Sequence, residues 1–171
     1  MNTDINIYVA DLSDYNNGKL HGAWINALVD LDEIQDQINA MLKDNPEEDA
    51  EEYANHDYEG FDSYGLSEYE GMESAHEIAC FIDENQESGG ELLNHFGSDL
   101  EDAKKATEEN YNVCYSSLAD YAEELTEGTT EIPQHLAFYI DYEKMGRDME
   151  LSGDIYTITT AHDKVHVFWS H

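Results

Sequence analysis

From Asp44 to Ala103 the chain runs sixty residues without a Lys or Arg while carrying twenty Asp and Glu. Almost every one of those side chains must stay in water, because an unpaired carboxylate is expensive to bury. Such a stretch can build only small elements, each with one thin apolar face. Residues 1–43 carry seven acids and two bases, and residues 104–171 carry thirteen and five, so the middle holds most of the net charge of -33. That charge is a self-repulsion that works against compaction unless it is useful or the solvent is very salty. The chain is still no disordered acidic tail: twelve Tyr, five Phe and two Trp lie along it, and 40% of its residues are apolar, whereas acidic disorder is poor in aromatics. Its 171 residues suit one ordinary domain or two to three small ones. A partner is expected to be strongly cationic, which argues against direct binding to nucleic acid or to an anionic membrane. Cys80 and Cys114 stand apart with no CxxC, and there is no signal-peptide pattern or apolar run near eighteen residues; the expected setting is soluble, reducing and cytoplasmic.

Ile5, Ile7 and Val9 alternate as a half-buried strand, turn residues fill Asp14 to Gly18, and a second strand-like run from Leu20 to Val29 completes a hairpin. Asp30 with Glu33 forms a capping-box pattern ahead of Leu31, Ile34, Ile38 and Leu42, which predicts a helix over 31–43. The loop to Glu52 is acidic, and Tyr53 to Tyr58 is read as a third strand. From Ser67 the apolar residues Met72, Ala75, Ile78, Ala79 and Ile82 recur at helical steps, with Glu70, Glu73, Glu77 and Glu84 on another face. Gly89-Gly90 is expected to break that helix, Glu91 to Phe96 to form a short one, and Ser98 or Asp99 to cap another carrying Glu101, Asp102, Glu108 and Glu109. Tyr111 to Tyr115 reads as a strand and Leu118 to Leu125 as a helix, with Gly128-Thr-Thr a loop. Pro133 is expected to open a helix to about Met149 with Leu136, Tyr139, Ile140 and Met145 facing inward, ended by Gly153. Ile155–Thr159 and Val165–Trp169 form a last hairpin, joined by the Tyr111 strand into a three-stranded sheet. The fold class is α+β, with small sheet-containing domains at 1–61 and 110–171 flanking a helical middle domain at 62–109.

No catalytic constellation is visible. His76 and Cys80 stand one helical turn apart, but the HExxH pattern fails at its last position and no third ligand is near in sequence. The Asp14 to Gly18 segment has its glycine one place early for a calcium loop, and Ile25 stands where a bidentate Glu is needed. His162 and His166 read as surface histidines. GxSxG, Walker A and GxGxxG are all absent. No cofactor and no metal ligand is expected. The charge itself remains: B-DNA carries one negative charge per ~1.7 Å of axis, so the net charge equals that on roughly 55 Å of duplex. A body displaying it could occupy the cationic groove of a DNA-binding enzyme. The plain alternative from composition is an acidic solvated surface, as in a salt-adapted protein; a divalent-metal-binding module or metal-dependent enzyme is the alternative function.

Three stretches decide between these. Ile7-Tyr-Val-Ala-Asp-Leu-Ser-Asp-Tyr-Asn-Asn-Gly-Lys-Leu-His-Gly-Ala-Trp24, Glu52-Tyr-Ala-Asn-His-Asp-Tyr58 and Tyr139-Ile-Asp-Tyr-Glu-Lys-Met-Gly-Arg-Asp-Met-Glu-Leu-Ser-Gly153 together resemble the ArdA antirestriction proteins, in the family's order and over nearly the whole chain. The resemblance implies a DNA mimic, encoded on mobile elements, that inhibits type I restriction-modification enzymes by occupying their DNA-binding groove. It also implies an elongated homodimer of three small domains per subunit. Met145 departs from the aromatic expected between Tyr142 and Gly146. The motif residues read as structural: Gly18 and Gly22 serve a turn and close packing, Trp24, Tyr139 and Tyr142 are core candidates, and Arg147 pairs with Asp141 or Asp148. The partner-binding, phosphate-mimicking set is expected to be Glu47, Glu48, Asp49, Glu51, Glu70, Glu73, Glu77, Glu84, Glu101 and Asp102. Dimerisation is expected through the strand edge at Tyr111, Val113 and Tyr115, which would otherwise stay open to other chains.

Overall fold

A computed structural model describes residues 4–44 and 52–170. The chain forms two compact units, Met1–His95 and Phe96–His171, and the fold is α+β.

In the first unit, β1 (Asn6–Asp11) pairs antiparallel with β2 (Gly22–Asn26) on one side and β3 (Tyr53–Glu59) on the other, giving the order β2-β1-β3. Alternation does what the pattern dictates: Ile7 and Val9 are fully buried while Asn6 and Tyr8 are half-covered. The connection between β1 and β2 is more than a turn. Residues Leu12–Asn16 form a short helix α1, because Asp11 accepts from the Ser13 N–H at 2.9 Å and so caps it. Gly18, at φ +74°, then turns the chain toward β2.

Helix α2 (Leu31–Lys43) spans the expected residues and buries Ile34, Ile38 and Met41. Asp30 stands at its N-cap but makes no side-chain cap bond, and the acids of its first turn are Asp32 and Glu33. Helix α3 begins at Met72, after the turn that holds Glu70, and runs to Glu84. It ends where the Asn85 side chain donates to the Phe81 carbonyl at 2.9 Å, four residues before the glycines expected to stop it. Gly89 and Gly90 instead open α4 (Gly89–His95) and are buried in it. Phe61, Tyr64, Leu66, Leu92 and Leu93 join the apolar face of α3 in the core.

Asp62 sits on the surface of this unit at φ +52°, a left-handed conformation that Asp and Asn tolerate better than other side chains. Partial burial of its carboxyl raises its pKa above the ordinary carboxylate value. A raised carboxyl pKa means that folding is opposed once the pH exceeds the unfolded-state value, and that the opposition vanishes in acid. Asp62→Asn keeps the backbone preference and removes the charge. It is expected to raise stability at pH 7 by no more than about 0.5 kcal/mol, since the group is largely exposed, and to leave it unchanged near pH 3. Urea midpoints at the two pH values check this; an equal gain at both would rule out the carboxyl as the cause.

The second unit carries α5 (Leu100–Lys105), capped by Asp99 accepting from the Asp102 N–H at 3.0 Å, then a π-helical turn at Ala106–Asn110. Strand β4 (Tyr111–Tyr115) is followed by α6 (Leu118–Thr129), α7 (Tyr142–Ser152), β5 (Ile155–Ala161) and β6 (Lys164–Trp169). The sheet is antiparallel with order β4-β6-β5. Tyr121, Ile155 and Val167 form its buried cluster, with Tyr115, Leu118, Leu125 and Met149 packed around them.

Several expectations fail in this unit. Residues 128–129 are helical: the Thr130 N–H still donates to the Thr126 carbonyl at 2.9 Å, and the hydroxyls of Thr126 and Thr129 donate back to the carbonyls of Ala122 and Leu125 at 2.6 and 2.7 Å. No helix starts at Pro133: a turn closed by the Leu136 N–H on the Pro133 carbonyl leads into a 3-10 turn at Ala137–Tyr139. Helix α7 begins only where Asp141 accepts from the Lys144 N–H at 2.9 Å. Leu136 and Tyr139 therefore face solvent, the latter 84% exposed, as does Phe138; Met145 is half-buried on α7. His166 is buried, not superficial, because β6 is the central strand; its ring lies 3.1 Å from the Tyr111 hydroxyl and 3.2 Å from that of Thr160.

Candidate functional site

The dominant surface property is uncompensated negative charge. Even if each of the seven bases paired with one acid, 33 of the forty acids would lack a basic partner. The pairs Lys104–Glu101 and Arg147–Glu143 are loose, at 3.8 Å each, and exposed, so they contribute little. Arg147 thus meets Glu143, one helical turn before it, and not Asp141 or Asp148.

On α3, α5 and α6 acids stand exposed because the opposite face is taken by the core. On α3, Ala75, Ile78, Ala79 and Ile82 are buried while Glu73, Glu77 and Glu84 are exposed. At about 100° per residue these three carboxylates lie within about 40° of one another, over about 16 Å of axis. Glu70 precedes the helix and is half-buried; its carboxylate accepts a short hydrogen bond from the Ser74 hydroxyl. Glu101 and Asp102 are exposed in the first turn of α5. Glu47, Glu48, Asp49 and Glu51 lie outside the described residues.

The denser ladder is on α6, where the expected site residues did not include it. Asp120, Glu123, Glu124 and Glu127 are all exposed, opposite the buried Tyr121 and Ala122. Their spacing of i, i+3, i+4, i+7 puts them on one face across eight residues, on average one charge per about 3.5 Å of helix axis. Phosphates along one DNA strand come every ~3.4 Å. The signal was present in the sequence; the bases that flank this segment hid it by lowering the regional net charge. Coulombic repulsion from Glu124 adds to burial in raising the Tyr115 phenol, and repulsion from Glu127 and Glu123 adds to burial in raising that of Tyr142, so the ladder's field reaches both neighbouring elements. Helices α3, α6 and α7 share one further feature: each has an acid in its first turn and no base in its last.

The motif residues are mixed in role. Gly22 packs directly on the backbone of β1. Trp24 is not core. It alternates with buried Ile25 and lies on the outer face of the sheet, 49% exposed, against Tyr8 with ring centroids 5.4 Å apart. Tyr142 is half-buried. In the C-terminal sheet β4 pairs only with β6 among the described residues, with Tyr111 and Val113 exposed and Tyr115 half-buried.

Other chemistry finds little footing. His76 lies 2.7 Å from the Ala27 carbonyl and close to Cys80, but among the described residues no three His, Cys, Asp or Glu converge on a point that could hold a metal. Asp14 is buried in the first unit. No described helix is long and apolar enough to cross a membrane.

A family model described as antirestriction protein (ArdA) matches residues 7–164. No curated protein matches the chain.

Proposed function

The chain belongs to the ArdA family of antirestriction proteins, and from that premise we propose that it inhibits type I restriction-modification enzymes by laying exposed carboxylates into the cationic groove that otherwise holds DNA. The observation that carries the reading is the α6 ladder, whose charge interval approaches that of a phosphate strand. The strips on α3 and α5 add to it. The partner is a protein, the setting is the cytoplasm where such enzymes act, and the proposed working form is a homodimer joined through the β4 edge, as in a strand left open to pair with its copy. Mimicry of this kind needs no metal and no catalytic step.

The test is displacement of labelled DNA from a purified type I methyltransferase core by the full chain, in EDTA. Wild type is expected to displace DNA with EDTA present. Neutralising one carboxylate, as in Glu77→Gln, is expected to weaken displacement by less than about fivefold, because one exposed pair contributes up to about 1 kcal/mol. Neutralising Asp120, Glu123, Glu124 and Glu127 together is expected to weaken it far more. Loss of activity in EDTA, or no displacement from any type I enzyme, would overturn the reading.

A further inference from the structure

A groove of about 690 Å³ opens on the first unit where α1, β3 and the turn before α3 meet, within the roughly 300–1,000 Å³ typical of ligand clefts. Leu12, Ala54 and Met72 line it with apolar surface. Its aromatic wall is the pair Tyr15 and His56, edge to face with centroids 4.6 Å apart. Tyr69, 88% exposed, also lines it, between Glu68 and Glu70. No Lys or Arg contributes to the lining.

This lip is held in place. The Tyr69 and Glu70 N–H groups donate to the Ser67 hydroxyl and carbonyl at 3.2 and 3.0 Å, and the side-chain amide of buried Asn55 donates to the Glu70 carbonyl at 3.3 Å. The Glu70 carboxylate is in turn fixed by Ser74. An exposed tyrosine, its two acidic sequence neighbours and an aromatic pair thus line one groove, on backbone that is tied down.

We propose that this groove receives an arginine side chain of the target enzyme. A flat, weakly hydrated guanidinium can stack on an aromatic face while its N–H fork meets a carboxylate, and the groove supplies both. An ammonium would use the charge but not the faces as well, and an anionic ligand is repelled by a chain of net charge -33. The helical ladders offer charge alone; this groove adds a shape that selects among cations. The identity of the partner rests on the antirestriction reading above, while the groove's chemistry does not.

Two measurements separate these. In the first, full-length protein is titrated with Nα-acetyl-arginine-amide, and in parallel with Nα-acetyl-lysine-amide, and followed by amide NMR. The arginine probe is expected to give saturable shifts confined to residues 12–16, 53–56 and 68–72, stronger than the lysine probe. Tyr69→Ala with Glu68→Gln, both at exposed positions, is expected to weaken that binding about fivefold. Shifts scattered over all acidic surfaces, equal response to both probes, or no response to the double substitution would each overturn the proposal. In the second, the same variant is compared in DNA displacement with a charge-matched control, Glu33→Gln on α2, whose circular dichroism and urea midpoint serve as checks on folding. A groove variant that displaces DNA as well as the control would overturn the proposal while leaving the inhibitor reading intact. Failure of wild type to displace DNA would instead strike the inhibitor reading, with the probe titration still deciding the groove.

Discussion

Replacing Gly22 with valine is expected to destabilise the first unit by about 3 kcal/mol, a cost at the upper end for overpacking. Gly22 lies opposite Ala10 where β2 crosses β1. A Cβ there would collide with the Val9 carbonyl oxygen and lie 2.8 Å from two atoms of the Tyr8 side chain. Tyr8 could swing away, but the carbonyl belongs to the central strand of the sheet, and moving it disturbs pairing on both sides. Register itself is at stake, because a one-residue slip would turn Ile7 and Val9 outward. For a unit of this size the expected loss corresponds to a fall in melting temperature of about 12–20 °C. Thermal unfolding and amide-exchange protection of β1 to β3 check it; a variant melting within about 2 °C of wild type would show that the strand accommodates a side chain after all.

The second large effect concerns function. Raising salt from about 50 to about 200 mM is expected to raise the dissociation constant of enzyme and inhibitor by about a hundredfold or more, as for ligands that make many phosphate-type contacts. The enzyme's cationic groove and the inhibitor both hold counterions when apart and release them together, so the salt that competes is the thermodynamic partner of binding. With at most seven of the forty acids paired to a base, the exposed ones among the remainder act in this way, each weakly and all in concert. DNA binding by the enzyme weakens too, so the direct quantity to measure is the dissociation constant of enzyme and inhibitor without DNA. A constant that hardly changes over this range would sink a mechanism led by charge.

Legibility from the sequence followed local rules. Helix α2 was readable to its ends because its periodicity and flanking residues agree, and both three-stranded sheets were readable because short apolar alternations sit between turn residues. The failures mark competition between local signals. Pro133 offered a helix start, yet Asp141 is the better cap and α7 waits for it. Gly128-Thr-Thr reads as a loop, yet residues 128–129 continue α6, with the Thr126 and Thr129 hydroxyls bonding backward along it. Trp24 reads as a core candidate among the motif residues, although its alternation with Ile25 places it on the other face. The burial of His166 follows from strand order in space, which no local pattern encodes. Of the acids expected to meet the partner, those on α3 and α5 stand on exposed faces. The α6 set carries its signal in helical spacing alone, within a region whose bases lower the net charge.

The acid-first, base-free ends of α3, α6 and α7 carry a consequence for any attempt to strip the protein of its field. Aligned peptide dipoles leave roughly half a negative charge at a helix C-terminus, and here no cation sits in the last turn to cancel it. That contribution belongs to the carbonyls of the main chain. It survives every substitution of side-chain carboxylates and every titration of them, and disappears only when the helices melt. A variant with its ladders fully neutralised would therefore still be negative at these three helix ends, and its residual attraction for a cationic partner would report the backbone's share.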